Sequence, residues 1–124
     1  MRPDRTRPLI RKVDSIQFYT PDLEAALAFY RDKLGHELIW RTDQAAGLRL
    51  PESEAEIVLQ TTRSEPEVDL TVASVDEAAR VIERLGGEVV VQPFDIQIGR
   101  CVVVKDPWGN LFGIIYNPHF SIGG

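Results

Sequence analysis

The chain repeats one order of predicted elements, and this duplication constrains its fold more than any other feature. A strand, a helix and three strands are predicted between Val13 and Thr62, and the same order returns between Val68 and Tyr116. Both copies place Glu-Ala-Ala in the helix and glycine after it, at intervals of 53 and 51 residues. Two βαβββ modules predict an α+β fold in which helices cover the outer face of curved mixed sheets and the opposite face forms a cleft.

The length of the chain limits its domain organisation. With 124 residues there is room for one typical domain. We expect a basic N-terminal arm at residues 1–12, a single domain over residues 13–118 and a C-terminal tail at residues 119–124. The domain is divided into modules at residues 13–62 and 67–118.

Local signals predict where the helices begin and end. Pro21 suits the first turn of the first helix because its missing N–H would have no partner there. Ser74 and Glu77 have the spacing of a capping box at the start of the second helix. Gly35 is predicted to end the first helix in a left-handed conformation, and Ala46-Gly47 is predicted to form a turn.

Charge and composition argue against several classes of protein. The net charge is −5, and beyond the arm the chain carries nine basic and 18 acidic residues, which would repel a nucleic-acid backbone. No apolar run approaches the roughly 20 residues that cross a bilayer, and no secretory signal is evident. The single cysteine, Cys101, cannot form an internal disulfide and fits a cytoplasmic location.

Two sets of short motifs carry a resemblance to a known family. The opening set is Val13-Asp14-Ser15-Ile16, Asp22-Leu23-Glu24, Phe29-Tyr30 and Leu34-Gly35, and the closing run is Asp106-Pro107-Trp108-Gly109-Asn110-Leu111-Phe112. At these separations, residues 9 to 118 resemble the vicinal oxygen chelate superfamily, which includes glyoxalases, extradiol dioxygenases, and bleomycin- and fosfomycin-resistance proteins. The resemblance implies paired βαβββ modules, a ligand cleft lined by the sheets, and a homodimer.

The resemblance also implies a divalent metal, held by histidine and glutamate side chains from the first and last strand of each module. The residues that match those positions here are Ser15, Gln60, Asp69 and Gly113. Serine and glutamine are poor ligands for zinc, nickel or iron, and glycine has no side chain. The two histidines, His36 and His119, lie elsewhere, so we expect neither the superfamily metal nor another cofactor.

Strand alternation predicts which side chains line the cleft. The predicted ligand-binding residues are Ser15, Gln17, Tyr19, Gln60, Asp69, Thr71 and Gly113, accompanied by Val58, Leu111 and Ile115. Alternatively, these residues fill a closed interior without a ligand or contact a second subunit. Asp69 lies between Val68 and Leu70, which are predicted to face the core, and its carboxylate needs either a ligand or a side chain such as Arg100 as its partner.

The sequence is compatible with two functions. The first is metal-free binding of a small molecule, as in the drug-sequestering resistance proteins of the family, with a neutral or cationic ligand favoured by the acidic chain. The second is a lyase, isomerase or dioxygenase that uses a relocated divalent metal or Asp69 as a general base. In either case we expect a homodimer, because pairing modules covers exposed strand edges.

Overall fold

Each repeat forms a helix packed on a four-stranded sheet in the computed structural model, which describes residues 8–96, 99–116 and 118. The described part of the chain divides into a unit of residues 14–68 and a unit formed by the other described residues. These units correspond to the two predicted repeats, called here the first and the second module. The prediction of an α+β fold with two βαβββ modules is confirmed.

The first module carries one parallel and two antiparallel strand pairs, in the order β2-β3-β4-β1. Leucines and alanines of α1, β3 and β4 form its core. Its elements are β1 (Lys12–Tyr19), α1 (Leu23–Leu27), a π-helix that continues α1 (Ala28–Lys33), β2 (Leu38–Arg41), β3 (Ala45–Arg49) and β4 (Glu56–Gln60).

The second module has the equivalent order β5-β8-β7-β6, in which only β5 and β8 run parallel. Its core is rich in valine and packs against α2. Its elements are β5 (Glu67–Thr71), α2 (Val75–Arg84), β6 (Glu88–Ile96), β7 (Gly99–Lys105) and β8 (Leu111–Tyr116).

The starts of the two helices agree with the predictions to different degrees. The Ser74 hydroxyl accepts a hydrogen bond from the Glu77 N–H at 3.2 Å, as the capping box predicts. In the first module, Asp22 is the cap, and its carboxylate accepts the Ala25 N–H at 3.1 Å. The prediction for Pro21 was therefore wrong by position, because this residue precedes the cap instead of lying in the first turn.

The predicted turn at Ala46-Gly47 was wrong, because both residues lie inside β3. Glycine is uncommon within strands and often marks a place where another group approaches the backbone closely. Here that group is the indole of Trp40, which lies over Gly47. Long-range packing therefore explains the glycine that sequence alone assigned to a turn. Gly35, by contrast, has the predicted left-handed conformation, with φ of 86°.

The closing motif forms a tight turn between β7 and β8. The Asp106 carboxylate accepts hydrogen bonds from the N–H groups of Trp108 and Asn110 at 2.9 Å, and from the Asn110 side chain at 2.8 Å. These bonds, led by that of the Asn110 side chain, lower the pKa of Asp106. Gly109 has φ of 90°, which favours glycine in this turn.

The ends of the chain are described only in part. Within the predicted arm, the Arg11 N–H donates to the Thr71 carbonyl at 2.9 Å, and β1 begins at Lys12. Residues 1–7 and the predicted tail, including His119, lie outside the described residues. No helix in the described ranges is long and apolar enough to span a bilayer.

Candidate functional site

One face of the first module's sheet contacts α1, and the opposite face is named here the helix-distal face. Ile57 and Leu59 of β4 belong to the α1 core, so Val58 and Gln60 point to the helix-distal face. Residues directly opposite one another on paired strands point to the same face, so the pairing extends the helix-distal face to β1, β2 and β3. The residues that share the helix-distal face are Ser15, Gln17, Tyr19, Trp40, Ala45, Gly47, Arg49, Glu56, Val58 and Gln60.

The second module has a helix-distal face of its own. Val102 and Ile114 belong to the α2 core, so the alternate residues of β7 and β8 point away from the helix. Asp69 lies directly opposite Gly113, and Thr71 lies opposite Ile115. The structure therefore brings together Asp69 and Gly113, the pair that the family motifs placed at matching metal positions.

Strand β5 buries its polar side chains and exposes an apolar one. Glu67, Asp69 and Thr71 are buried, with Asp69 only 5% exposed, whereas Val68 is 38% exposed. The prediction that Val68 faces the core was therefore wrong, and Leu70 is half-buried. Soluble proteins usually bury the apolar face of a strand, because buried polar groups must be hydrogen-bonded or paired. A strand with the reverse pattern indicates an environment with polar partners.

Arg100, the side chain named as one possible partner of Asp69, pairs with other carboxylates. The Arg100 guanidinium instead contacts both carboxylate oxygens of Asp76, at 3.0 and 3.1 Å, and Asp95 at 2.8 Å. Hydrogen bonding to Arg100 lowers the pKa of Asp76. Arg100 therefore ties the first turn of α2 to the β6–β7 hairpin, a structural role that sequence spacing did not indicate.

The side chain of Gln60 is committed to the turn that follows β4. Its carbonyl oxygen accepts the N–H groups of Thr62 and Arg63, each at 2.8 Å, and the Thr62 hydroxyl at 3.1 Å. Its amide nitrogen donates to the Arg63 carbonyl at 2.7 Å. Gln60 was predicted to bind ligand, and it lies on the predicted face. Its side-chain amide, however, makes these four hydrogen bonds within the turn and stabilises it.

Two residues of the site were missed in the sequence, Arg63 and Glu67. One nitrogen of the Arg63 guanidinium lies 3.0 Å from the side-chain amide oxygen of Gln17 and 3.0 Å from a carboxylate oxygen of the buried Glu67. The hydrogen bonds from the Gln60 side chain to the backbone N–H and carbonyl groups of Arg63 hold this residue in place for these contacts. The signal available was the position of Glu67 two residues before Asp69, which places both carboxylates on one face of β5.

Trp40 and Glu56 form a third group on the helix-distal face of the first module. The indole N–H of Trp40 donates to the Glu56 carboxylate at 2.8 Å, while the ring lies over Gly47. Glu56 is also the residue directly opposite Ser15, whereas Gln60 lies opposite Tyr19. The remaining predicted residues, Ser15 and Tyr19, differ in environment, because Ser15 is buried and Tyr19 is exposed.

The residues at the family's metal positions do not fit a tightly bound transition metal. In the first module Ser15 faces Glu56, whose carboxylate holds the indole N–H of Trp40. In the second module Asp69 faces Gly113, which supplies no ligand atom. Within the described ranges, no group of three or more His, Cys, Asp and Glu side chains could hold a metal ion. His36 lies apart, with its Nδ1 atom 3.1 Å from the Arg49 carbonyl oxygen.

Comparisons with solved structures support the fold. Methylmalonyl-CoA epimerase from Mycobacterium tuberculosis is similar, with a TM-score of 0.76 and 22% identity over 92% of this chain and 93% of that chain. A Streptomyces coelicolor methylmalonyl-CoA epimerase variant in complex with 2-nitronate-propionyl-CoA has a TM-score of 0.70 and 20% identity, over 88% of this chain and 99% of that one. At such identities the similarity establishes the fold alone.

A hypothetical protein from Bacillus halodurans C-125 is similar as well, with a TM-score of 0.73 and 18% identity over 86% of this chain and 94% of that chain. No curated protein sequence matches the chain significantly. The model of the Glyoxalase/Bleomycin resistance protein/Dioxygenase superfamily matches residues 12–114, which is most of the chain. The chain therefore belongs to this superfamily, the vicinal oxygen chelate group that its motifs resemble.

Proposed function

We propose that this protein binds a small molecule without the superfamily metal, using polar side chains on the helix-distal face of a module. The observation that carries the proposal is the reversed burial of β5, where Glu67, Asp69 and Thr71 are buried while Val68 is exposed. These three polar side chains give the helix-distal side of β5 a concentration of hydrogen-bonding groups, and pockets for small molecules place a few such groups among apolar walls. The poor donor set at the family's metal positions supports the metal-free part of the proposal.

Metal content is the most direct test of this proposal. Protein purified without added chelator or metal is expected to contain far less than one equivalent of zinc, nickel, iron, manganese or cobalt by elemental analysis. The physical reason is the donor set, in which Ser15 and Gly113 replace the side chains that would hold such an ion. A stoichiometric metal that resists dialysis would contradict the proposal and favour the enzymatic alternative.

Asp69 is expected to be the polar residue most sensitive for ligand binding. Substitution Asp69→Asn keeps the shape of the side chain and removes its charge, so a ligand that contacts the carboxylate should bind about tenfold more weakly. Small molecules that stabilise the wild type in a thermal-shift screen provide the ligands for the titration. If the variant instead loses stability without losing affinity, Asp69 belongs to an internal charge network.

An isomerase or lyase that uses Asp69 as a general base is the second candidate function. Two observations favour it: Asp69 is buried directly opposite a residue without a side chain, and proteins of similar fold include methylmalonyl-CoA epimerases. A general base exchanges a substrate proton with solvent. Asp69-dependent deuterium incorporation from heavy water into a bound carbonyl compound would therefore support catalysis over binding alone.

We also propose that the ligand is neutral or cationic, that the protein forms a homodimer and that it is cytoplasmic. The acidic composition supports a neutral or cationic ligand. The family resemblance supports a homodimer, and the single cysteine supports a cytoplasmic location.

The homodimer is tested by light scattering at micromolar concentration, where about twice the mass of one chain is expected. A monomer under those conditions would contradict it.

A further inference from the structure

We propose that the indole of Trp40 is a stacking platform for a planar aromatic cation on the helix-distal face of the first module. The inference rests on the small-molecule function proposed above and specifies the class of ligand. It depends on three features of Trp40: the side on which Gly47 supports the ring, the contact that fixes the ring in place, and the charge beside it.

Gly47 supports the ring from below. A Cβ atom placed on Gly47 would lie 2.0 Å from Nε1, 2.4 Å from Cε2 and 2.6 Å from Cδ1 of Trp40. Such similar distances to three adjacent ring atoms place Gly47 under the face of the five-membered ring and not at its edge. One face of the indole therefore rests on β3, and the other face points away from the sheet.

The indole is partly exposed, and a hydrogen bond holds the ring in one orientation. Trp40 is 37% exposed, and no aromatic ring among the described residues stacks on it. The hydrogen bond from its N–H to the Glu56 carboxylate, at 2.8 Å, joins β2 to β4 across the glycine. A ring that is already fixed loses little conformational freedom when a ligand stacks on it, which favours binding.

The charge beside the ring selects a cation. In the part of the chain that the structure describes, no basic side chain forms an ion pair with Glu56. Arg49 is the cross-strand neighbour of Glu56, but its guanidinium pairs with Glu37 at 3.0 Å. The face of an indole attracts cations, and a carboxylate at its N–H adds to this attraction. A flat cationic ring satisfies both the shape and the charge of the platform.

The two tryptophans provide the test with an internal control. The chain has only Trp40 and Trp108, and Trp108 lies in the β7–β8 turn, 83% exposed. The probe is N-methylquinolinium chloride, compared with quinoline, which is flat and neutral, and with tetramethylammonium, which is cationic and not flat. The indole N–H signals are followed by ¹H–¹⁵N NMR, and Trp108→Phe assigns them.

Stacking predicts a saturable shift of the Trp40 signal with N-methylquinolinium and little change at Trp108. Quinoline and tetramethylammonium should each bind about tenfold more weakly than N-methylquinolinium, because quinoline lacks the positive charge and tetramethylammonium lacks the flat ring. Glu56→Gln should weaken N-methylquinolinium binding by about threefold to tenfold and leave quinoline binding nearly unchanged. Equal shifts at both tryptophans, or no shift at Trp40, would overturn the inference.

Gly47→Ala tests whether binding requires the Trp40 ring in its position over β3 or only a tryptophan at position 40. The added methyl group occupies the place of the ring, so Trp40 must move and the saturable shift should disappear. If this variant does not fold, Trp40→Leu with detection by calorimetry replaces it and should abolish N-methylquinolinium binding. Retained affinity in either folded variant would refute the platform.

Failure of the platform can be distinguished from failure of the proposed function. If other small molecules stabilise the metal-free protein without moving the Trp40 signal, only the platform is refuted. If the purified protein holds a stoichiometric metal, the metal-free function is refuted, while the titration of Trp40 against Trp108 still decides the platform.

Discussion

Replacing Ile114 with alanine is expected to lower the free energy of unfolding by about 3–4 kcal/mol. Ile114 is fully buried on β8, between Leu70 of β5 and Val102 of β7, in the core that packs against α2. The substitution removes three buried carbons and leaves a cavity that neighbouring strands cannot close, because their backbones are hydrogen-bonded to one another. Small domains have only about 5–15 kcal/mol of stability, so the loss is a large fraction.

Chemical denaturation monitored by circular dichroism measures this effect, and the melting temperature should fall by roughly 10–20 °C. Ile114→Val should cost about 1 kcal/mol, since it removes a single methylene equivalent. Val91→Ala in β6 is the matched control, because Val91 is exposed and its truncation should cost well under 1 kcal/mol. A loss below 1 kcal/mol for Ile114→Ala would show that β8 does not lie in the core as described.

Replacing Gln60 with alanine is expected to cost about 2–4 kcal/mol of stability, the second largest effect. The substitution removes four hydrogen bonds and leaves the N–H groups of Thr62 and Arg63 without their acceptor. It also frees the backbone of Arg63, so the contacts of Arg63 with Gln17 and Glu67 should weaken. The loss arises from the turn, and it should therefore be present in the absence of any ligand.

Gln44→Ala is the matched control, because Gln44 is exposed and its side chain makes none of these bonds. Thermal unfolding without ligand, followed by a ligand titration at a temperature where both variants are folded, separates the two roles of Gln60. A Gln60→Ala protein that melts normally but has lost its affinity would mean that the side chain contacts ligand directly. That outcome would restore the interpretation of Gln60 that its position in the family suggested.

Much of the site could be predicted because it depends on strand alternation. Ser15 and Gln17 share a face with Val58, and Asp69 meets Gly113, as the sequence pattern and the family motifs indicated. Alternation is a property of any extended backbone, so it can be counted along a strand without knowledge of the rest of the chain. The prediction weakened where it had to state what each side chain contacts.

The residues that were misjudged have partners far away in the sequence. Trp40 covers Gly47 and reaches Glu56, which explains a glycine inside β3 that resembled a turn. Arg100 pairs with Asp76, 24 positions away, and not with Asp69. In each case several partners of suitable chemistry existed in the sequence, and only the packing of strands and loops chose among them.

The sequence by itself determined the duplicated βαβββ order, the α+β class and the superfamily, because hydrophobic period, caps and turn motifs act over a few residues. Tertiary structure alone decided that β5 buries Glu67 and Asp69 while Val68 is exposed, and that Trp40 covers Gly47 and reaches Glu56. The physical reason is that burial and hydrogen-bond partners depend on what packs across a strand. That depends on contacts between segments far apart in the chain, which local pattern does not encode.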